Sequence, residues 1–154
     1  MKVSFVLNHT PVTAEVSGYE RLIDTLRNTF GLTSVKEGCG EGECGSCTVI
    51  VNQLAVTSCT VLTFQLEGSD VLTTEGLAIN GELDKIQTAF INHGAIQCGY
   101  CTPGMIMSVK ALLFETPHPA PEQIKRAIEG NLCRCTGYHQ IIEAVQSLEV
   151  SDET

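Results

Sequence analysis

The chain of 154 residues is 43% hydrophobic and 18% charged, a composition too apolar and too weakly charged for an intrinsically disordered protein. Its length fits one domain or two small ones. Nine Lys and Arg against 18 Asp and Glu give a net charge of -9, which argues against nucleic acid or an anionic membrane surface as a partner.

The N-terminus shows no pattern typical of a targeting signal. Its apolar run, within residues 3–7, is about five residues long, whereas a signal peptide needs roughly 7–15 and a membrane helix roughly 18. We therefore expect a cytoplasmic protein without a membrane segment. In that reducing compartment, clustered cysteines more often bind metal or carry out redox chemistry than form structural disulfides, and this chain has 8 Cys.

The first half of the sequence predicts a β-sheet. Alternating apolar residues over 3–7 and 12–16 indicate the two strands of a hairpin. Ser17 and Glu20 form a capping-box pattern, which predicts a short helix from there through Asn28. Three further strands are expected at residues 48–51, 54–57 and 71–73.

The second half predicts four helices. The hydrophobic period changes between residues 74 and 82, which suggests two domains, 1–76 and 77–154. Residues 105–114 are apolar almost all round, as in a buried central helix. The residues that mark the four helices are Leu83, Ile86 and Phe90; Thr102 as a cap before Pro103; Pro121 with Ile124 and Ile128; and Ile141, Ile142, Val145 and Leu148.

The first four cysteines have the plant-type [2Fe–2S] spacing, C-x4-C-x2-C with a fourth Cys further along the chain. Three ligands from one short loop require the chain to wrap tightly around a cluster. The glycines between them tolerate positive φ and let backbone N–H groups point at the sulfur atoms. The cysteines of this first set are Cys39, Cys44, Cys47 and Cys59.

The second four cysteines form one C-x2-C and one C-x-C, each at a predicted helix boundary. A thiolate-ligated cluster is favoured there because amides at a helix N-terminus stabilise anions. The spacing also leaves open a zinc site with four thiolates, although C-x-C is uncommon in zinc ribbons, and a thiol–disulfide active site. The cysteines of this second set are Cys98, Cys101, Cys133 and Cys135.

Three segments together resemble a known family. They are residues 37–47 (EGCGEGECGSC), 97–105 (QCGYCTPGM) and 130–138 (GNLCRCTGY). In this order they are similar to the iron–sulfur subunit of the xanthine oxidase family of molybdenum hydroxylases, which includes xanthine, nicotinate, aldehyde and carbon monoxide dehydrogenases. The resemblance extends over nearly the whole chain.

The resemblance implies an α+β fold, with an N-terminal β-grasp plant-type ferredoxin domain followed by a C-terminal four-helix-bundle domain. Each domain would hold one [2Fe–2S] cluster. The second set of cysteines would lie nearest a molybdopterin cofactor on a large subunit, and the first set toward FAD on a medium subunit. Gln97 would hydrogen-bond the pterin, and Cys135 would also lie close to it.

The same resemblance implies an electron-transfer subunit without a catalytic site of its own, in a heterotrimer or a dimer of heterotrimers. Fused members continue into flavin and molybdenum domains, whereas this chain stops at Thr154, so the resemblance is to the separate small subunit. The complex would be the enzyme, and its substrate pocket would lie on another chain. Two other functions remain open: a free ferredoxin that shuttles electrons between enzymes, and a structural zinc module.

Overall fold

A computed structural model describes residues 1–151, with side chains through residue 148. Its sheet has five strands in the order β2-β1-β5-β3-β4. β5 runs parallel to β1, and the other three neighbouring pairs are antiparallel. The strands are β1 (Lys2–Leu7), β2 (Thr10–Glu15), β3 (Thr48–Val51), β4 (Leu54–Thr57) and β5 (Asp70–Leu72).

Both hairpins close through two-residue turns. The tight turn at residues 52–53 was predicted, whereas the first turn is shorter than the expected residues 8–11, because Thr10 and Pro11 pair with β1 and belong to β2. Asn8 and His9 join β1 to β2, and Asn52 and Gln53 join β3 to β4, all four at positive φ. Such turns match the right-handed twist of the strands that they connect. Pro11, which cannot donate a ladder hydrogen bond, lies in β2 at the edge of the sheet.

The helix predicted from Ser17 begins later than expected. Arg21 is extended, with ψ of 148°, because it forms an isolated bridge with Leu62. The helix α1 (Leu22–Asp24) therefore starts one residue after Arg21 and continues as a π-helix, Thr25–Thr29. The Ser17 side chain caps nothing here, since Arg21 is the N-cap residue. Pairing with a distant residue overrode the local capping pattern.

Four longer helices follow in the second half of the described chain, and two predicted helix starts were wrong. Leu83, which the sequence assigned to the first helix, lies before it, because Asp84 is the N-cap residue and its side chain accepts a hydrogen bond from Ile86 N at 2.8 Å. Cys101 precedes the second, so Thr102 lies inside it. The helices are α2 (Lys85–Asn92), α3 (Thr102–Glu115), α4 (Pro121–Ile128) and α5 (His139–Ser151).

The helix α3 is buried only over its N-terminal half, against the expectation for residues 105–114. Its buried positions run from Gly104 to Val109, whereas Phe114 is 45% exposed. The buried half packs on β3, which explains why β3 is apolar on both faces. Val49 of β3 joins the core of the sheet, and Ile50 joins the core of the helices.

Two hydrophobic cores result, one for each half of the chain. Val3, Phe5 and Leu22 belong to the first, and Phe90 and Met105 to the second. The last residues of the predicted second domain, 152–154, lie outside the described residues. Within the described residues, every helix is too short or too polar to cross a membrane.

Candidate metal centres

The first set of cysteines lies where a loop enters the β3–β4 hairpin. Cys47 precedes β3 and Cys59 follows β4, and both are buried. The antiparallel register pairs Thr48 with Thr57, which places these two thiols near enough to each other to interact. Burial raises the pKa of Cys59 to about 11. A metal bound here would therefore displace a proton from a thiol, because only the thiolate ligates.

Cys39, by contrast, lies in a loop whose backbone favours a thiolate. The N–H groups of Glu41, Glu43 and Cys44 donate to Cys39 Sγ at 3.3–3.4 Å. Hydrogen bonds from the amides of Glu41 and Cys44 lower the pKa of Cys39 to about 6. Gly40, at φ +72°, lets the chain turn so that these amides converge on the sulfur. This surrounding fits an anionic metal–sulfur group.

Cys44 lies in the same loop, and its sulfur occupies space that a side chain at Gly38 would otherwise fill. Cys39 N donates to Cys44 Sγ at 3.4 Å. A Cβ atom on Gly38 would come within 2.8 Å of that sulfur, so only glycine leaves Cys44 in place. The loop and the hairpin together bring the four thiols of the first set to one end of the sheet.

The second set joins the start of α3 to the loop before α5. Cys101 and Cys133 are half-buried and interact through their thiols. Burial raises the pKa of Cys101 to about 12. Burial would also raise the pKa of Cys133, but hydrogen bonds from the hydroxyl and amide of Thr136 outweigh it and lower that pKa. This set, like the first, therefore contains one cysteine whose pKa is lowered and one whose pKa is raised by burial.

The other two members of the second set are exposed. Cys98 and Cys135 both reach the surface, as does Gln97 next to Cys98. Cys98 interacts electrostatically with Cys101, whereas Cys135 interacts with Cys133 through its backbone amide. Within the described residues, no three His, Cys, Asp or Glu side chains are placed to hold a single metal ion. A [2Fe–2S] cluster instead divides four thiolates between two irons.

Sequence reasoning missed the contact between the two cysteine loops. The N–H of Leu132, beside Cys133, donates to the carbonyl oxygen of Cys44 at 2.9 Å. The hydroxyl of Tyr100 donates to the carbonyl oxygen of Glu37. Hydrogen bonds to the backbone carbonyl groups of a distant loop leave no pattern in the sequence, so no local signal could have revealed them.

Comparison with known protein families assigns both halves of the chain. Residues 5–77 match a family described as "2Fe-2S iron-sulfur cluster binding domain". Residues 73–146 match one described as "[2Fe-2S] binding domain". The second match decides between the alternatives that the spacing of the second set left open, in favour of an iron–sulfur cluster. The chain thus carries two [2Fe–2S] clusters.

Three similar proteins place the chain more closely. The nicotinate dehydrogenase small FeS subunit of Eubacterium barkeri is 56% identical, over 82% of this chain and 81% of its own. The xanthine dehydrogenase iron-sulfur-binding subunit of Escherichia coli O157:H7 is 48% identical, over 77% of this chain and 76% of that subunit. One chain in the crystal structure of quinoline 2-oxidoreductase from Pseudomonas putida 86 is 38% identical. It superposes with a TM-score of 0.94, over 99% of this chain and 96% of that chain. This protein therefore belongs to the iron–sulfur subunits of the xanthine oxidase family of molybdenum hydroxylases.

Proposed function

We propose that this chain carries electrons, one at a time, from a molybdopterin centre on a large subunit to FAD on a medium subunit. The supporting observation is the hydrogen bond from Leu132 N to Cys44 O, which joins the two cysteine loops directly. The first cluster is held by Cys39, Cys44, Cys47 and Cys59, and the second by Cys98, Cys101, Cys133 and Cys135. When bound, each cluster supplies a one-electron couple.

The residues around the first set of cysteines stabilise the negative charge of a cluster and limit its exposure to water. The amides on Cys39 Sγ stabilise negative charge on that sulfur, and the buried positions of Cys47 and Cys59 keep water from one side of the site. The domain that provides them is a β-grasp ferredoxin fold over residues 1–76. The helices of residues 77–154 form a four-helix bundle, supported by the separate core that they enclose.

The second set lies on the side of the molybdenum cofactor. Cys98 and Cys135 are exposed, so a partner can approach this site closely. Gln97 is exposed as well, and its amide offers both a donor and an acceptor to the edge of a pterin. Ile96 and Leu132, 39% and 59% exposed, flank the site and would be covered by the large subunit.

The complex, rather than this chain, is the enzyme. Its assembly is a heterotrimer or a dimer of heterotrimers in the cytoplasm, and the large subunit determines the substrate. No described residue of this chain needs to contact that substrate for the proposed role. Its part is to hold two one-electron carriers at a fixed separation between the partners.

The pterin contact is tested in the assembled complex. Gln97→Ala removes both hydrogen-bonding groups and Gln97→Glu removes the donor alone, and both leave the eight cysteines in place. We expect both cluster signals in electron paramagnetic resonance (EPR) at full intensity, with slower reduction of the clusters by substrate. The exposed Thr88→Ala change in α2 is the control. Unaltered turnover and cluster reduction in Gln97→Ala would contradict the pterin contact.

A further inference from the structure

Asn131 is a buried polar residue between the two cysteine loops, 3% exposed. A buried amide must have its hydrogen bonds satisfied within the protein. Its Oδ1 accepts from Ser108 Oγ in α3 at 2.7 Å, and its Nδ2 donates to the carbonyl oxygen of Gly45 at 3.1 Å. One side chain thus ties the loop before Cys133 to both α3 and the loop of the first set.

The carbonyl group of Gly45 is held from several directions. It accepts from Thr48 N at 3.1 Å and Thr48 Oγ1 at 2.7 Å, as well as from Asn131. Gly45 itself has φ of +72°, and a Cβ on it would overlap the carbonyl oxygen of Gly130 and lie 2.7 Å from Asn131 Nδ2. The two backbones therefore approach so closely that no side chain fits at position 45.

This contact immediately flanks the bond between the loops. Gly45 follows Cys44, and Asn131 precedes Leu132, the donor to Cys44 O. Electron tunnelling weakens steeply with distance and crosses bonded atoms more easily than gaps. The separation of the two clusters, and the bonded route between them, therefore depend on how firmly Gly45 and Asn131 are held together.

We infer that Asn131 is a positioning residue for electron exchange between the two clusters, an inference that rests on the proposed function. The step it supports is the transfer of one electron, which oxidises one cluster, reduces the other and requires no further reactant. Asn131 acts through its neighbours: it holds the carbonyl group of Gly45, and through it the loop of Cys44.

The test compares two Asn→Asp changes in the full complex. Asn131→Asp replaces the donor to Gly45 O with a carboxylate oxygen, which repels that carbonyl. Asn8→Asp is the matched control, because Asn8 also bonds through both ends of its amide, to Thr73 N and Thr73 Oγ1, away from the cysteine loops. Both variants should lose thermal stability, so stability alone does not distinguish them.

The distinguishing measurements are the magnetic interaction between the two reduced clusters in low-temperature EPR and the rate of electron exchange after rapid one-electron reduction. In Asn131→Asp we expect a weaker interaction and a rate lower by about tenfold, in the range of changes around metal sites. In Asn8→Asp the magnetic interaction and the exchange rate should both equal those of the wild type. Ser108→Ala, which frees only Oδ1 of Asn131, should give a smaller loss and carries the test if Asn131→Asp fails to assemble.

Two failures can be told apart. Wild-type protein without two cluster signals would overturn the proposed function itself. Two full signals with wild-type interaction and exchange rate in Asn131→Asp and Ser108→Ala would overturn the positioning role and leave the proposed function standing.

Discussion

Gly104 of α3 lies directly against the carbonyl oxygen of Gly45, so closely that a Cβ atom on Gly104 would overlap it. α3 therefore crosses the first cysteine loop at backbone contact. We call the place where the two halves meet the junction. It consists of this crossing, the hydrogen bond from Asn131 to Gly45 O and the hydrogen bond from Leu132 to Cys44 O. Side-chain size at Gly104 consequently decides whether the helical half can pack on the sheet half.

Gly104→Ala is expected to destabilise the protein, although Ala favours a helix by about 1 kcal/mol over Gly. Overpacking against a backbone oxygen costs about 1–3 kcal/mol, so the net effect is a lower midpoint of thermal unfolding, measured by circular dichroism. Gly130→Ala is the control, because a Cβ there meets nothing within 4 Å. Equal midpoints for the two variants would contradict the close contact.

Serine substitutions separate the two ligand sets. Cys47→Ser and Cys133→Ser should each remove one EPR signal and lower the iron content from about four to about two per chain, since each [2Fe–2S] cluster contains two irons held by thiolates. Ser46→Ala, beside Cys47, is the control and should keep both signals. Survival of both signals in Cys133→Ser would show that the assignment of ligands is wrong.

Arg21 supports the start of the first cysteine loop. Its guanidinium contacts both Asp24 carboxylate oxygens, at 2.8 and 2.9 Å, and Glu37 at 2.6 Å. Such partly exposed pairs contribute up to about 1 kcal/mol, so Arg21→Gln should speed chelator bleaching of the first cluster by at most about fivefold. Lys125→Gln, which breaks the exposed pair with Glu122, should leave bleaching unchanged. The same rate in both variants would argue against a supporting role for Arg21.

Glu75 links the end of β5 to the segment before the first loop. Burial would raise its pKa, but hydrogen bonds from Ser34 and Thr73 outweigh burial and hold the pKa below its ordinary value. The ionised carboxylate therefore stabilises the fold above the ordinary pKa, about 4.5, and this contribution is lost as pH falls through the lower folded-state value.

Glu75→Gln should accordingly lower the unfolding midpoint by an amount that stays constant from pH 8 to pH 5. Hydrogen bonds to a charged group contribute about 1.5–3 kcal/mol when buried, but Glu75 is exposed to water, so we expect a loss of about 1 kcal/mol or less. The difference from wild type should shrink only below about pH 4.5. Glu115→Gln, at the exposed end of α3, serves as the control. A difference that grew with falling pH would contradict the direction of the shift.

Local patterns predicted much of the sheet because its strands depend on local alternation. The strands at 48–51 and 54–57 occur with the bounds that β-branched residues on either side of Asn52 indicated. The capping pattern at Ser17 failed because Leu62, distant in sequence, extends Arg21. Leu83 is apolar yet 52% exposed, since the helix starts after Asp84.

The cysteine sets could be read from spacing because ligand loops are short. Within each half the structure brings thiols of one set together, as with Cys101 and Cys133. What spacing could not predict is how the halves meet. Asn131 looks like any polar residue after a helix, and only the folded chain shows that Gly45 accepts its hydrogen bond.

The junction also constrains when the protein can be completed. Asn131 and Gly45 are 86 positions apart in sequence, and closing so long a loop costs entropy that only the finished packing repays. During synthesis the first cysteine loop emerges 86 residues before Asn131, and until then it lacks its contact with the second half of the chain. The loop of Cys39 and Cys44 therefore reaches its final packing only when the second half of the chain folds against it.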